Sequence, residues 1–472
     1  IISEIILLNY SRWLAVLNDQ QYDIVILGGG ISGMASAIKL AESGKKVLLL
    51  ESQNELGGKI KTSNIMGVIT EEGPDELITG YQKFDELSKL TGVVDNFIYP
   101  ETLKFLIYSR NKLRKFPESL VTGIPSLNLK DLYNFVTSGL LSVQGYMRTV
   151  FEPFVKLNNL SEDVNIKFLF EKKFGSEFAK NVIDPLFGGI MGADISIISS
   201  KSYIPYIYKV AKDGKSLSLY FTKRHDQKHY NIVSTRNGLG GIVKNFEKYA
   251  EAKGVRIITG HTAISVNNEH GTWRILTDTN NIKCSKVVLT VPAHSAAKLV
   301  NDVDKRLSYL LSSIKYSDIV VVNSIYKKSD IKLQGAFSGF LMPSDSGFKL
   351  RGSTFMSRKW NYAKMDNYEL LRSFISIDYG KDEEFYIQKA AEELIQIGVA
   401  NNYPVKSVVR IWNLAMPIYM VGHGELIQKI NDTIPPNMYL AGAPYKGIGI
   451  ASSGVSGIEA AERILSNYSN YQ

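Results

Sequence analysis

Between Tyr22 and Lys59 an apolar run, a glycine turn, a helical pattern, a second apolar run and an acid follow in one order. Ile24 to Leu27 is apolar at every position, as a strand buried on both faces requires. Gly28, Gly30 and Gly33 follow in G-x-G-x-x-G spacing. From Met34 to Ser43 the periodicity is helical, and Ala35 and Ala37 let that helix lie close to a sheet. Val47 to Leu50 is a second buried strand, and Glu51 stands 18 residues beyond Gly33. In this register the five pieces make the first βαβ unit of a dinucleotide-binding fold. The glycines permit a tight turn and close approach of backbone to a pyrophosphate. The helix N-terminus, with Ile31 and Ser32, faces its charge, and Glu51, beside Ser52, stands where a ribose hydroxyl can donate.

A chain of 472 residues is too long for one simple core, so two or three domains are expected. The apolar share of 44% and charged share of 21% are those of a globular protein. The net charge of +9 is compatible with an anionic substrate or membrane surface, but it is scattered apart from a run between Lys209 and Lys228. No nucleic-acid signature accompanies it, so no nucleic-acid partner is expected. Cys284 is the only cysteine, which excludes an internal disulfide and a cysteine-based metal site and points to a reducing, cytoplasmic compartment. The six histidines have no metal spacing, and no metal is expected. The first 20 residues read as a packed or frayed helical extension; Glu4 and Arg12 interrupt their apolar runs, and no signal peptide is read there. No uncharged stretch reaches the length of a spanning helix.

Further along, Thr62 to Thr70 reads as a hairpin turning at Gly67, and Phe105 to Arg114 as another turning at Arg110-Asn111. The pair Gly57-Gly58 is either a plain turn or, with Lys59, a strip lying along the cofactor. From Leu127 to Tyr203 the pattern is helical and aromatic, with Asn128 and Ser161 as N-caps. Its apolar residues suit a core, a tunnel rim or a membrane-facing surface. Gly188 to Asp194 breaks the helical run with closely spaced glycines, and Tyr206 to Lys228 reads as a basic loop. Tyr230 to Ser234 is a strand. Val287 to Pro292 reads as a strand returning at the edge of the nucleotide domain. Ile314 to Asp378 alternates as an antiparallel sheet, hence a second domain. Finally, Met438 to Ala443 is a strand opening on a glycine-rich turn, Tyr445 to Ala451, and a helix to Leu465. Such a turn offers a second helix N-terminus and backbone N–H groups to a bound ring.

Taken together, these residues resemble the oxygen-dependent porphyrinogen oxidases, within the wider flavin-containing amine oxidase superfamily. The superfamily likeness rests on Gly28 to Gly33, Glu51, Gly57-Gly58-Lys59 and Gly442 to Ala451. The porphyrinogen likeness rests on Glu71-Glu72-Gly73-Pro74-Asp75, Lys104 to Pro117, Asp184 to Ser199, Ser234 to Leu239, Trp412 to His423 and Gly442 to Gly449. The resemblance implies FAD as cofactor and a mixed α/β plus α+β architecture: a Rossmann-like FAD domain, an antiparallel-sheet substrate domain and a helical insertion used for membrane association. By position, the FAD domain takes 1–85, 228–300 and 405–472, the helical domain 90–205, and the substrate domain 206–227 and 301–404. Cofactor contacts are implied for Gly28, Gly30, Ile31, Ser32, Gly33, Glu51, Ser52, Gly57, Gly58, Lys59, Gly73, Pro74, Asp75, Ala263, Trp412, Gly442, Gly447, Ile448, Gly449 and Ile450. Gly189 is implied to lie near the substrate and flavin. Phe340, Leu341 and Met356 fall on sheet positions that either flank a macrocycle or simply fill the sheet core.

The implied function is the six-electron oxidation of protoporphyrinogen IX or coproporphyrinogen III to its porphyrin, with oxygen as acceptor. No general base is assigned. A homodimer and a peripheral contact with the cytoplasmic face of the membrane belong to the same expectation. Two alternatives stand beside it: an amine oxidase or carotenoid desaturase, kept open by Lys446 beside Tyr445, and a flavin-binding protein without turnover. The chain departs from the porphyrinogen pattern at Glu76-Leu77, at Ile418, at Ala451 to Gly454, and at Gly80, where an arginine thought to pair with a propionate is expected.

Overall fold

The computed structural model describes residues 21–469, apart from 119, 121–122, 158–159, 161, 190 and 224–230. The N-terminal extension, the cap at Ser161, Ile190, Tyr230 and the end of the basic run therefore lie outside the described residues.

Two seven-stranded sheets organise the molecule. In the first, strand Gln21–Leu27 lies between Val47–Leu50 and Asn281–Leu289, parallel to both. Arg256–Ile258 extends the sheet beyond Val47–Leu50, and Met438–Leu440 pairs with Val287–Leu289. Thr272–Thr277 and Ala263–Glu269 continue it as antiparallel strands. Strand alternation sorts the apolar run into two cores. Ile24 and Ile26 pack with Met34 and Ile38 of helix Ile31–Glu42 and with Ala460, Ala461 and Ile464 of the C-terminal helix. Val25 and Leu27 pack with Trp273, Val287 and Leu289 on the other face. The strand through Val287 is thus central rather than an edge, because Gln21–Leu27 flanks it on one side and Met438–Leu440 on the other.

The second sheet runs in the order Lys406–Pro417, Tyr316–Lys327, Tyr368–Ile375, Leu350–Phe355, Gly339–Leu341, Phe105–Ser109, Lys112–Lys115. Its pairs are antiparallel except Gly339–Leu341 with Phe105–Ser109, which is parallel. The boundaries expected from the sequence put 105–115 with the helices and 406–417 with the nucleotide domain; these pairings put both in the second sheet. One face packs Val320, Val322, Phe340, Leu350 and Leu371 against Tyr386, Ala390 and Leu394 of helix Glu383–Gln396. The other face turns Asn323 and Arg372 toward the segment 71–75, where both donate to Glu71 O.

The helical part differs from expectation in three places. Helix Leu129–Thr137 starts at Asn128, but that side chain accepts no capping bond; Ser142, Asn165, Ser199 and Ser216 do cap theirs. Residues 206 to 223 form two helices, Pro205–Lys212 and Leu217–Thr222, instead of a loop. Their lysines are exposed while Ile207, Val210, Ala211 and Leu217 enter the helical core, a pattern the charge run hides. The chain also stays helical through Gly189, as a π-helix over Ala179–Gly189. The wider i→i+5 turns accommodate Pro185, which has no N–H to give.

Candidate active site

The motif glycines divide by what surrounds them. Gly28 has φ +110 and donates to Leu50 O at 2.8 Å, closing the strand-to-helix turn. A Cβ on Gly33 would lie 2.0 Å from Gly28 O, so only glycine lets the helix sit this close to the strand. Gly30 is different: a Cβ there would meet nothing within 4 Å. It begins helix Ile31–Glu42 with no side-chain cap, leaving first-turn N–H groups pointing at open space. Gly57 bridges to Gly30 and donates to Gly29 O at 2.9 Å, and a Cβ on Gly58 would stand 3.4 Å from Gly30 Cα. The two glycine groups are therefore one surface.

Lys59 follows directly. Burial lowers its pKa, and it has no hydrogen-bond or ion-pair partner among the described residues. A cation held this way beside an open cradle suits a phosphate-bearing ligand. Burial, then Lys59, also lowers the pKa of His294. Glu51 is buried, and its carboxylate accepts from Gly29 N at 2.6 Å and Gln53 N at 2.8 Å. It thus clips the glycine loop. His261 N donates to Glu51 O, which brings the strand beginning at Ala263 alongside; Ser52 is exposed at the same end.

The C-terminal turn closes on this surface. Ser32 Oγ donates to Ser453 O at 2.7 Å, and a Cβ on Gly457 would lie 2.0 Å from Ser32 O. Gly442 and Gly447 have φ of +120 and +71, and Gly442 N donates to Ser456 Oγ at 3.0 Å. Gly449 and Ile450 lead into the last helix, and Ile448 packs against the helical core. Tyr419 Oη donates to Ala443 O at 2.5 Å and stacks on His423 at 4.1 Å. Burial pushes the His423 pKa down to about 4, so its ring is neutral near pH 7.

Gly73, Pro74 and Asp75 are pinned by an ionic cluster. Arg372 bonds Glu71 O, Gly73 O and, at 3.1 Å, Asp75 Oδ1. Lys359 holds Asp75 Oδ2 at 2.8 Å and Glu76 at 2.6 Å. Desolvation alone would raise the Asp75 pKa, but Lys359 and Arg372 outweigh it and hold it at about 2. Glu71 is the opposite case: burial pushes it up to about 8 despite bonds from Thr62 and Leu239. The segment is in turn packed on the glycine strip, since a Cβ on Gly73 would meet Lys59 O at 1.9 Å. Trp412 Nε1 donates to Glu72 O at 2.7 Å. Lys359 and Arg372 escaped the sequence reading, and Glu71 was read only as part of a motif; the signal available was the charge of Arg372 next to Leu370-Leu371 in its strand.

Gly189 ends the π-helix against the second sheet, where its Cβ would stand 3.6 Å from Met342 O and 3.7 Å from Arg351 O. Of the three residues expected to flank a macrocycle, Phe340 and Met356 are 2% and 0% exposed. Phe340 belongs to the core beneath helix Glu383–Gln396, and Met356 starts a short helix packed on Ile65 and Trp360. Only Leu341 is not buried. Among the described residues no group of three or more metal-ligating side chains could hold a metal ion.

A family model for flavin containing amine oxidoreductases matches residues 31–465. The chain belongs to this family. It is an FAD-dependent oxidoreductase, and the uncapped helix start at Gly30, the bridged glycine strip and Lys59, without a partner among the described residues, suit FAD. The chain is 24% identical to coproporphyrinogen III oxidase of Bacillus subtilis over 460 residues, covering 92% of this chain and 96% of that one. It is 23% identical to chloroplastic protoporphyrinogen oxidase 1 of Arabidopsis thaliana, covering 92% and 84%. A solved structure from Exiguobacterium sp. 255-15, provisionally named a protoporphyrinogen oxidase, shares the fold with a TM-score of 0.82 at 23% identity, covering 96% and 100%.

Proposed function

We propose that this enzyme oxidises a carboxylate-bearing porphyrinogen to its porphyrin, with oxygen as final acceptor. Conversion removes six electrons and six protons in three two-electron rounds, each taking a hydride and a proton from the macrocycle. Bound FAD supplies the two-electron acceptor. The chain's own part is positioning and dryness: the glycine strip and Lys59 hold the cofactor, the 71–76 segment fixes its flank, and the helical core closes over the ring end. The observation that carries this reading is Gly189, in the stretch that resembles the porphyrinogen oxidases, lying flat against the backbone of the second sheet. Lys446, which left amine oxidation open, is exposed and paired with Glu459 at 2.5 Å, which disfavours that alternative. The test is porphyrin fluorescence after purified protein is added to coproporphyrinogen III or protoporphyrinogen IX, with a polyamine as the competing substrate. Turnover of the polyamine alone, read as hydrogen peroxide, refutes the proposal; bound flavin that neither porphyrinogen reduces anaerobically favours a protein without turnover.

A peripheral membrane contact belongs to the same reading. Among the described residues no helix is long and apolar enough to cross a membrane. Yet Leu129, Tyr133, Val143, Met147, Phe151 and Phe154 stand exposed on consecutive helices and the turn that follows them, with Leu129 at 87% and Phe154 at 81%. Such a patch suits insertion into a lipid interface. The expected result is co-sedimentation with anionic vesicles that Phe151→Ser with Phe154→Ser abolishes; unchanged sedimentation refutes the contact.

A further inference from the structure

Two parts of the site stand on different bodies of the molecule. Gly189 ends the π-helix of the helical part, whereas the turn from Gly442 to Gly449 leaves strand Met438–Leu440 of the first sheet. Transfer between a substrate against the one and a cofactor ring against the other depends on the gap between them. Tyr419, buried in the loop between strand Lys406–Pro417 and helix His423–Thr433, is bonded to both sides.

On the Gly189 side its carbonyl accepts from Ser199 N at 2.7 Å. Ser199 stands ten residues beyond Gly189, and the stretch between them is tied along its length. Ala193 N donates to Gly188 O at 3.2 Å, and Met191 O accepts from Ser317 Oγ at 2.7 Å. Ile195 O and Ile198 O accept from Lys167 N and Ile166 N at 3.1 and 2.9 Å. Asp163 doubles the seam: its carboxylate accepts from Ser199 Oγ at 2.8 and 2.7 Å and from Gly422 N at 3.0 Å. On the other side the Tyr419 hydroxyl serves the C-terminal turn twice. It donates to Ala443 O at 2.5 Å and accepts from the Gly447 N–H. Burial pushes its pKa well above the ordinary tyrosine value, so the donated proton stays in place through the neutral range. His423 fixes the ring. It stacks on Tyr419 at 4.1 Å with 12° between the planes, and a ring N–H donates to the Pro444 carbonyl, the one hydrogen-bonding group of a proline backbone. His423 Nε2 has no partner among the described residues, so the donor is Nδ1.

We propose that Tyr419 is a positioning residue of this enzyme: through Ser199 and through Ala443 and Gly447 it sets the gap between the Gly189 segment and the C-terminal turn, with His423 holding its ring. This deepens the porphyrinogen reading and rests on it, with the ring end of FAD against the turn. The tie also couples the two bodies. Cofactor binding that orders residues 443–447 tightens residues 191–199 through one side chain.

The first test needs no porphyrinogen. Hydrogen exchange of residues 191–199 is compared in flavin-free and FAD-loaded protein. FAD is expected to slow exchange there in wild type, and much less in Tyr419→Phe, which removes the hydroxyl and keeps the ring. No effect of FAD on these residues in wild type, or the same effect in both proteins, overturns the tie. The second test is anaerobic reduction of the bound flavin by coproporphyrinogen III or protoporphyrinogen IX in rapid mixing. Tyr419→Phe should lower the limiting rate about tenfold or more, as displaced reactants do. Its half-saturating porphyrinogen concentration should stay within about twofold of wild type. A hydroxyl that only stabilises the fold would lower the melting temperature and leave both quantities alone. A limiting rate equal to wild type, or a loss confined to half-saturation, overturns the proposal. If Tyr419→Phe fails to hold flavin, His423 takes its place in the test. His423→Asn keeps an N–H for Pro444 O and should retain most of the rate that His423→Leu loses; equal rates in those two variants overturn the proposal. Wild-type flavin that neither porphyrinogen reduces, with the exchange result as expected, overturns the porphyrinogen reading instead.

Discussion

Gly30 and Gly33 belong to one motif but answer to different constraints, and alanine separates them. A Cβ at Gly33 would lie 2.0 Å from Gly28 O and 2.8 Å from Thr290 Oγ1, and the first of these is backbone that cannot swing aside. Gly33→Ala must therefore push helix Ile31–Glu42 off its strand. Overpacking of this kind costs about 1–3 kcal/mol, and a clash with a carbonyl belongs at the top of that range. At Gly30 a Cβ would meet nothing within 4 Å, and φ of −69 suits any residue. Gly30→Ala is expected to leave the stability of flavin-free protein within about 0.5 kcal/mol of wild type. With the pyrophosphate over this turn, as the motif implies, the methyl projects into its space and FAD affinity should fall about tenfold or more, ~1.4 kcal/mol. Urea unfolding of the flavin-free protein measures the first effect, and fluorescence titration with FAD the second. The reasoning fails if Gly30→Ala unfolds as early as Gly33→Ala, or if it holds FAD as tightly as wild type.

Asp75→Asn leaves Lys359 and Arg372 buried with less than their counter-charge, and a loss of about 3–5 kcal/mol is expected in urea unfolding at pH 7. Because the folded carboxyl titrates near 2, below its unfolded value of about 3.9, its contribution is full above pH about 4 and disappears as pH falls toward 2. Variant and wild type should therefore converge at acid pH; a constant gap would count against the ion cluster. Glu71 has the reverse sign: its folded pKa of about 8 lies above an unfolded value of about 4.3, so wild type loses stability as pH rises between them. Glu71→Gln keeps the side chain neutral, and its melting temperature relative to wild type should climb from pH 5 to pH 8; a flat difference refutes this. Glu51→Ala removes the acceptor of Gly29 N and Gln53 N, and should weaken FAD binding by about 1–3 kcal/mol, checked by the same fluorescence titration.

The cofactor cradle was legible because its parts are close in sequence. The turn at Gly28, the packing at Gly33 and the helix start at Gly30 all follow from backbone sterics within one βαβ unit, so spacing alone announces them. The resemblance assigned Gly57-Gly58 and the turn at Gly442 to Gly449 to the same task; what the structure adds is positive φ at Gly57, Gly58, Gly442 and Gly447, which favours glycine there. Helix limits in the lysine-rich stretch after Tyr206 were not legible, since exposed charge masked an apolar face that only the helical core reveals.

What only the tertiary structure decided is which charged groups are paired. Asp75 meets Lys359 and Arg372 across 284 and 297 residues, and Glu369 and Glu72 are held by Arg358 and Arg410. Pairing depends on which strand faces touch, and alternation fixes a face without saying what lies opposite it. The same limit applies to Phe340 and Met356, which fall on plausible lining positions in the chain but are buried in two separate cores. Sequence by itself determined a dinucleotide cradle, because that is a property of local backbone. The ionic clamp on its flank came from one face of the second sheet packing on the distant segment 71–75.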